Sequence, residues 1–168
     1  AKAYIQYQLG ALLAFCRASG VSMHHVKPHG ALYNMAAKDA KLARAIVEGI
    51  CEVDDRLTLL ALSGSEMLFA AEKAGLRAAS EVFADRAYQA NGTLVPRSQP
   101  GAMITDENEA IARVVRMVTE GVVTSIDGID VPLRADSICV HGDGAKALLF
   151  VQKIRAALEE KGVALKAL

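Results

Sequence analysis

Three short stretches of this chain gather side chains that can do chemistry: His25 to His29, Glu81 to Arg86, and Ser137 to Asp143. In an extended strand, alternate side chains share a face. His25, Lys27 and His29 then fall together, opposite Val26 and Pro28. Glu81, Phe83 and Asp85 fall opposite Val82 and Ala84, and Ser137, Cys139, His141 and Asp143 fall opposite Ile138 and Val140. Apolar faces of this kind suit a covering layer of helices, and the polar faces suit a wet or reactive lining. Imidazoles and carboxylates on such a lining can exchange protons or hold a divalent ion, whose identity the sequence leaves open. Lys27 and Arg86 can clamp an anionic substrate or a phosphate. Each residue also has a plain structural use. Lys27 can lay its stem on apolar surface, Asp85 and Arg86 can pair internally, and His24 and His25 read as structural.

Placing these groups requires strands at regular intervals, and the periodicity supplies them. Ile5, Leu9, Leu12, Leu13 and Cys16 make the apolar stripe of an opening helix, with Gly20 at its end. An extended run over His24 to Pro28 follows, then a helix carrying Leu42, Ile46 and Ile50. Leu57 to Leu62 is a continuous apolar run of strand length, and Ser65 stands as the N-cap of a helix ending near Gly75. A strand is expected from Ser80 to Ala84. Periodicity then vanishes from Arg86 to Ile104, which predicts a lid or binding loop. A helix begins near Thr105, with Asp106 and Glu107 in its first turn. Ile111, Val114, Val115 and Val118 form its buried stripe. Asp127-Gly128 predicts a small hairpin joining Val122–Ile126 to Ile129–Leu133. A strand from Ser137 to Val140, a helix carrying Ala147, Val151, Ile154 and Leu158, and a final strand over Val163 to Leu165 complete the pattern.

Parallel strands alternating with helices define an α/β fold with right-handed crossovers. The polar strand faces favour a β/α barrel over an open sheet. His29, Asp85 with Arg86, and His141 with Asp143 sit at strand C-terminal ends, where such barrels carry their active sites. The turns Ser63-Gly64-Ser65 and Gly142-Asp143-Gly144 precede helices, where backbone N–H groups can hold an anion. Neither matches the Walker phosphate loop.

The 168 residues suit one domain, with 52% hydrophobic and 23% charged residues. Nineteen basic side chains balance nineteen acidic ones, and aromatics make up 5%. That balance gives nucleic acid and anionic membranes no electrostatic hold. Three widely spaced cysteines, Cys16, Cys51 and Cys139, exclude a disulfide framework and point to a reducing cytoplasm. No apolar run reaches the roughly 18–20 residues of a membrane helix.

Several long motifs resemble those of the LamB/YcsF family, in the family's order and across essentially the whole chain. They are Val-Lys-Pro-His-Gly-Ala-Leu-Tyr-Asn from Val26 to Asn34 and the run from Glu81 to Ile104. That run contains Phe-Ala-Asp-Arg-Ala-Tyr, Leu-Val-Pro-Arg and Pro-Gly-Ala. Ile-Cys-Val-His-Gly-Asp from Ile138 to Asp143 and Tyr-Gln-Leu-Gly-Ala-Leu from Tyr7 to Leu12 also match. The resemblance implies a β/α barrel of the glycoside hydrolase/deacetylase type. It implies the part played by the A subunit of the prokaryotic 5-oxoprolinase, which opens the lactam of 5-oxo-L-proline to L-glutamate with ATP as co-substrate. Subunits B and C are the implied partners, and a homo-oligomer is left open. His29, Asp85, His141 and Asp143 carry over as catalytic, and Lys27, Asn34, Arg86, Tyr88 and Arg97 as substrate-binding.

The acidic and histidine-containing motifs that open family members are missing here, and Gly144-Ala145-Lys146 replaces the usual continuation after His-Gly-Asp. The chain is therefore expected to be the C-terminal portion of a longer member. It would form an incomplete barrel in one domain over residues 1–168, inactive alone. Two other readings stand beside this one. They are a metal-dependent hydrolase or deacetylase acting on a sugar or amide, and a non-catalytic structural subunit.

Overall fold

The computed structural model describes residues 1–142 and 147–168. The chain divides into two compact units, Ala1–Ser80 with Leu168, and Glu81–Ala167.

The first unit opens with helix α1 (Lys2–Ala18) and continues through strand β1 (His25–Val26), α2 (Gly30–Ala36), α3 (Ala40–Asp54), β2 (Thr58–Leu62) and α4 (Glu66–Ala74). It closes on the start of β3 (Ala78–Phe83). Helix α3 begins where the Asp39 carboxylate accepts the Lys41 and Leu42 N–H groups at 2.9 and 3.0 Å, the standard relief of orphan amides at an N-terminus. It buries Ala43, Ile46, Val47 and Ile50. The predicted stripe of α1 is only half right. Ile5 and Leu9 are buried, but Leu12 is 53% exposed. The reason is local: α1 crosses α3 at Gly49, where an added Cβ would lie 3.1 Å from the Lys2 carbonyl oxygen and 3.2 Å from Ile5 Cβ. The close approach at the N-terminal end of α1 leaves its later turns with less to cover them.

Strand β2 reads as a continuous apolar run because every residue from Leu59 to Leu62 is buried, as in parallel sheets covered on both faces. It pairs in parallel with β1, His25 opposite Thr58 and Val26 opposite Leu59. The Leu59 N–H reaches the Arg77 carbonyl just before β3 at 2.8 Å. Ser65 occupies the N-cap position of α4 as expected, yet its hydroxyl makes no capping bond. The Glu66 N–H instead donates to the Ala37 carbonyl and the Leu68 N–H to the Ser65 carbonyl. Those first-turn donors are taken, so the Ser63-Gly64-Ser65 turn has little left to offer an anion.

In the second unit β3 ends at Phe83, and α5 (Glu107–Thr119), β4 (Val122–Thr124), β5 (Asp130–Pro132), β6 (Ser137–Cys139) and α6 (Ala147–Glu160) follow. Strands β3 and β6 pair in parallel, with Glu81, Val82 and Phe83 opposite Ser137, Ile138 and Cys139. The hydrogen-bonded order of the parallel sheet is β1-β2-β3-β6. This four-stranded sheet with helical crossovers is the expected incomplete β/α barrel. Ile138 and Val140 pack onto a core of Ala84, Val114, Ile154 and Leu158, so the apolar face of β6 meets helices as its alternation predicts.

Three expectations change in detail. The strand predicted over Val163 to Leu165 does not form. Gly162 adopts a positive φ of 76°, its N–H donates to the Glu159 carbonyl, and the Val163 N–H donates to the Leu158 carbonyl. This is a Schellman ending in which Val163 supplies the apolar contact, and Val163 indeed packs against the Leu158 cluster. The stretch from Arg86 to Ile104, expected as a loop without periodicity, is folded on itself. Bridges join Arg86 to Met103 and Tyr88 to Leu94, and Ala87, Val95, Ala102 and Ile104 form a core of their own. The cysteines, whose apolar neighbours in the sequence suit small buried hydrophobes, are free and only half-buried.

The predicted hairpin is present as β4 and β5, antiparallel and turning at Gly128. Arg116 of α5 clamps it, donating to both carboxylate oxygens of Asp130, while the Thr124 hydroxyl donates to the same carboxylate. These bonds, Arg116 first, lower the Asp130 pKa from 3.8 to about 2. A depressed carboxylate stabilises the fold above its unfolded pKa and loses that contribution as pH falls through the folded value. Amide exchange at Val123 and Val131 is therefore expected to accelerate, relative to other strands, between about pH 4 and pH 2. Asp130→Asn should remove the pH dependence, and a protection pattern identical in both proteins would refute the clamp.

Candidate active site

The predicted site residues fall into two groups, one on each unit. On the first, burial alternates as the sequence implies: Val26 and Pro28 are buried, His25 and His29 exposed, Lys27 half-buried. The Lys27 ammonium lies 5.6 Å from the centroid of the buried Tyr33 ring, a cation–π distance that fixes its stem. His29 is the exposed N-cap residue of α2 and caps nothing with its side chain. Gly30 follows with φ 61°, a conformation that favours glycine. Asn34 turns its amide back to the Gly30 carbonyl at 3.1 Å. His24 and His25 meet edge to face, 6.0 Å apart.

On the second unit the ends of β3 and β6 bring two residues together from 56 positions apart. His141 Nδ1 lies 2.7 Å from Asp85 Oδ2. The Arg97 guanidinium lies on the other side of the ring, its Nη2 3.0 Å from His141 Nε2. Phe83 stacks obliquely beside the ring at 6.1 Å. These contacts dictate the proton positions. A guanidinium has only donors, so Nε2 must accept from Arg97. The ring hydrogen then sits on Nδ1 and is donated to Asp85. A carboxylate on Nδ1 with Nε2 as the working nitrogen is the arrangement of a general base held in one tautomer. The other oxygen, Asp85 Oδ1, is buried with no hydrogen-bond partner among the described residues. Asp143 lies outside the described residues.

Arg86 and Tyr88 support this pair from behind. Arg86 is 4% exposed and donates through Nη2 to the Val95 carbonyl at 2.6 Å. Burial, then the nearby charge of Arg97, lower its pKa below the usual arginine value. Tyr88 is 1% exposed, and its hydroxyl accepts the Phe83 N–H at 2.9 Å. Burial drives its pKa well above that of an ordinary tyrosine. Both side chains thus have partners inside the fold, whereas Arg97 is exposed.

Arg113 was not singled out by the sequence. Its Nη2 donates to the Arg86 carbonyl at 3.1 Å, holding the backbone directly after Asp85. The available signal is its place beside Ala110, Val114 and Met117, the buried stripe of α5, where a charged residue calls for a partner. Glu81, which the strand alternation places with Phe83 and Asp85, is 3% exposed. Among the described residues no group of three His, Cys, Asp or Glu side chains is placed to hold a metal ion. No described helix is long and apolar enough to cross a membrane.

The sequence of this chain matches the model of the LamB/YcsF family over residues 1–168. It is 64% identical over 163 residues to the 5-oxoprolinase A subunit of Clostridium beijerinckii, covering 97% of this chain and 64% of that protein. It is 56% identical over 164 residues to the protein of the same name from Tolumonas auensis, covering 98% and 65%. The crystal structure of the lactam utilization protein from Thermus thermophilus superposes with a TM-score of 0.88 at 46% identity, covering 99% of this chain and 66% of that one. The chain thus spans somewhat under two thirds of the length of these relatives.

Proposed function

We propose, from the premise that this chain belongs to the LamB/YcsF family, that it acts within the A subunit of an ATP-dependent 5-oxoprolinase, alongside subunits B and C. The observation that carries the catalytic reading is the line Asp85–His141–Arg97, with Asp85 Oδ2 on Nδ1 and Arg97 Nη2 on Nε2. The names of the relatives above give the substrate class.

A lactam is a poor electrophile because its nitrogen donates into the carbonyl. Transfer of the γ-phosphoryl group of ATP to the lactam oxygen, with loss of the N–H proton, releases ADP. It gives a cyclic imidoyl phosphate whose carbon is more electrophilic than that of the amide. Water then adds to the activated carbon, and its proton passes to His141 Nε2. Asp85 offsets the positive charge that appears on the ring. Breaking the C–N bond, with a proton delivered to the nitrogen, opens the ring to an acyl phosphate. A second water releases phosphate and leaves L-glutamate. Arg97 supplies positive charge for the oxyanion that develops. The roles proposed for Lys27, His29, Asn34 and Asp143 rest on the family resemblance, with Lys27 as a further cation for an anionic substrate.

The direct test is release of glutamate from 5-oxo-L-proline by the full-length protein with subunits B and C. Release is expected only with ATP and with all three subunits. Release that persists without ATP but is abolished by a chelator would replace this reading with a metal-dependent amide hydrolase.

A further inference from the structure

The contact between Arg97 and His141 has a cost for the chemistry just described: the nitrogen that must take a proton is already occupied. Nε2 accepts from a guanidinium at 3.0 Å, and a hydrogen bond there withholds the lone pair from water. From the arginine's side the contact is equally unusual. Arg97 is exposed, yet its hydrogen-bond partner among the described residues is a ring nitrogen and not a carboxylate. Guanidinium groups bind carboxylates and phosphates through two parallel charge-assisted bonds, roughly twice as strong as neutral ones. An oxyanion arriving at this exposed edge therefore outcompetes the imidazole for Arg97.

A second cation strengthens the preference. Arg86 is buried close enough for the charge of Arg97 to act on it, and its Nε has no hydrogen-bond partner among the described residues. Asp85 offsets part of the charge on Arg86, and a negative ligand at the exposed Arg97 relieves the remaining like-charge repulsion. His141 itself is tied down from the opposite side by Asp85 at 2.7 Å, so the ring stays where it is when Arg97 leaves.

We infer that Arg97 is an oxyanion-operated cap on His141. Without ligand the guanidinium occupies Nε2, and a carboxylate or phosphate oxygen of the bound substrate draws it away and frees Nε2 as the base. The inference rests on the proposed general base but adds a condition to it: an uncharged lactam leaves the cap closed. Arg97 touches the anion of the substrate itself and, by leaving Nε2, frees His141, so it discriminates in favour of substrates carrying an anion. The anion has two possible sources, the carboxylate of 5-oxoproline or a phosphate, and both present the same oxygens to Arg97.

The test uses the full-length protein with ¹⁵N-labelled histidine, the His141 signals being assigned by their loss in His141→Asn. Before ligand, His141 is expected as the Nδ1–H tautomer. In Arg97→Ala the Nε2 signal moves to the position of an uncapped acceptor. In the wild type, 5-oxo-L-proline or inorganic phosphate should drive the same movement, while 2-pyrrolidinone, the same lactam without a carboxylate, should not. Arg97→Ala should then show no further change with either anion and bind them about tenfold or more weakly, the equivalent of one charge-assisted hydrogen bond. An Nε2 signal unchanged by Arg97→Ala, or moved by 2-pyrrolidinone as far as by 5-oxoproline, overturns the cap. Movement with phosphate but none with 5-oxoproline keeps the cap and assigns its anion to a phosphate, not to the carboxylate of the lactam.

Discussion

His141→Ala in the full-length protein, assayed with subunits B and C, is expected to lower kcat for glutamate release by about 10²–10⁴, the usual contribution of a positioned general base. The ring is 28% exposed and its bonds run to Asp85 and Arg97, so its loss removes little packing and should leave the melting temperature within a few degrees. Asp85→Asn keeps the shape and can still accept from Nδ1–H, but it loses the charge that stabilises the imidazolium. A hydrogen bond to a charged group is worth about 1.5–3 kcal/mol, so kcat should fall by roughly 10–150-fold. Because the carboxylate works through the ring, the double variant should be no slower than His141→Ala alone. Unchanged kcat in a folded His141→Ala protein would remove His141 from the chemistry. Additive losses in the double variant would give Asp85 an independent role, such as direct contact with substrate through the unpartnered Oδ1.

The pairing of Asp85 with His141 was accessible to sequence reasoning because both residues follow strands. Two parallel neighbours place their C-terminal ends at the same level, and the polar side chains alternate onto one face. For β1 the alternation survives in the burial itself, with Val26 and Pro28 inside and His25 and His29 outside. For β3 it does not: Ser80, Glu81, Val82 and Phe83 are all buried, since the strand has neighbours on either side and cover on both faces. Arg97 and Arg113 belong to a different class of information. Where Arg97 points depends on how the segment after Arg86 folds back through the Arg86–Met103 and Tyr88–Leu94 bridges. That path is fixed by the small cluster of Ala87, Val95 and Ala102, too short for any period to register. Arg113 reaches a backbone carbonyl 27 residues earlier, and no spacing rule encodes such a bond. The resemblance marked Tyr88 and Arg97 alike as substrate-binding, yet the structure gives them opposite environments, one 1% exposed and the other at the surface.

That contrast leads to the second large effect, on stability. The Tyr88 hydroxyl accepts the Phe83 N–H at 2.9 Å, and Phe83 sits in β3 with 5% exposure. Tyr88→Phe deletes the oxygen alone and leaves a buried N–H without an acceptor, which costs about 1–3 kcal/mol. Tyr88→Ala removes the ring as well and opens a cavity, a change that costs about 3–5 kcal/mol for large aromatic side chains. Chemical denaturation of the full-length protein should show both losses, with the denaturant slope unchanged in Tyr88→Phe. The kinetic expectation runs the other way. With its hydroxyl occupied inside the fold, Tyr88 is expected to leave KM for 5-oxoproline unaltered in Tyr88→Phe, provided the assay is run where the variant is folded. A raised KM at unchanged stability would return Tyr88 to the substrate-binding set. Lost stability at constant KM instead assigns it to holding the end of β3, and with it Asp85, in place beneath the His141 ring.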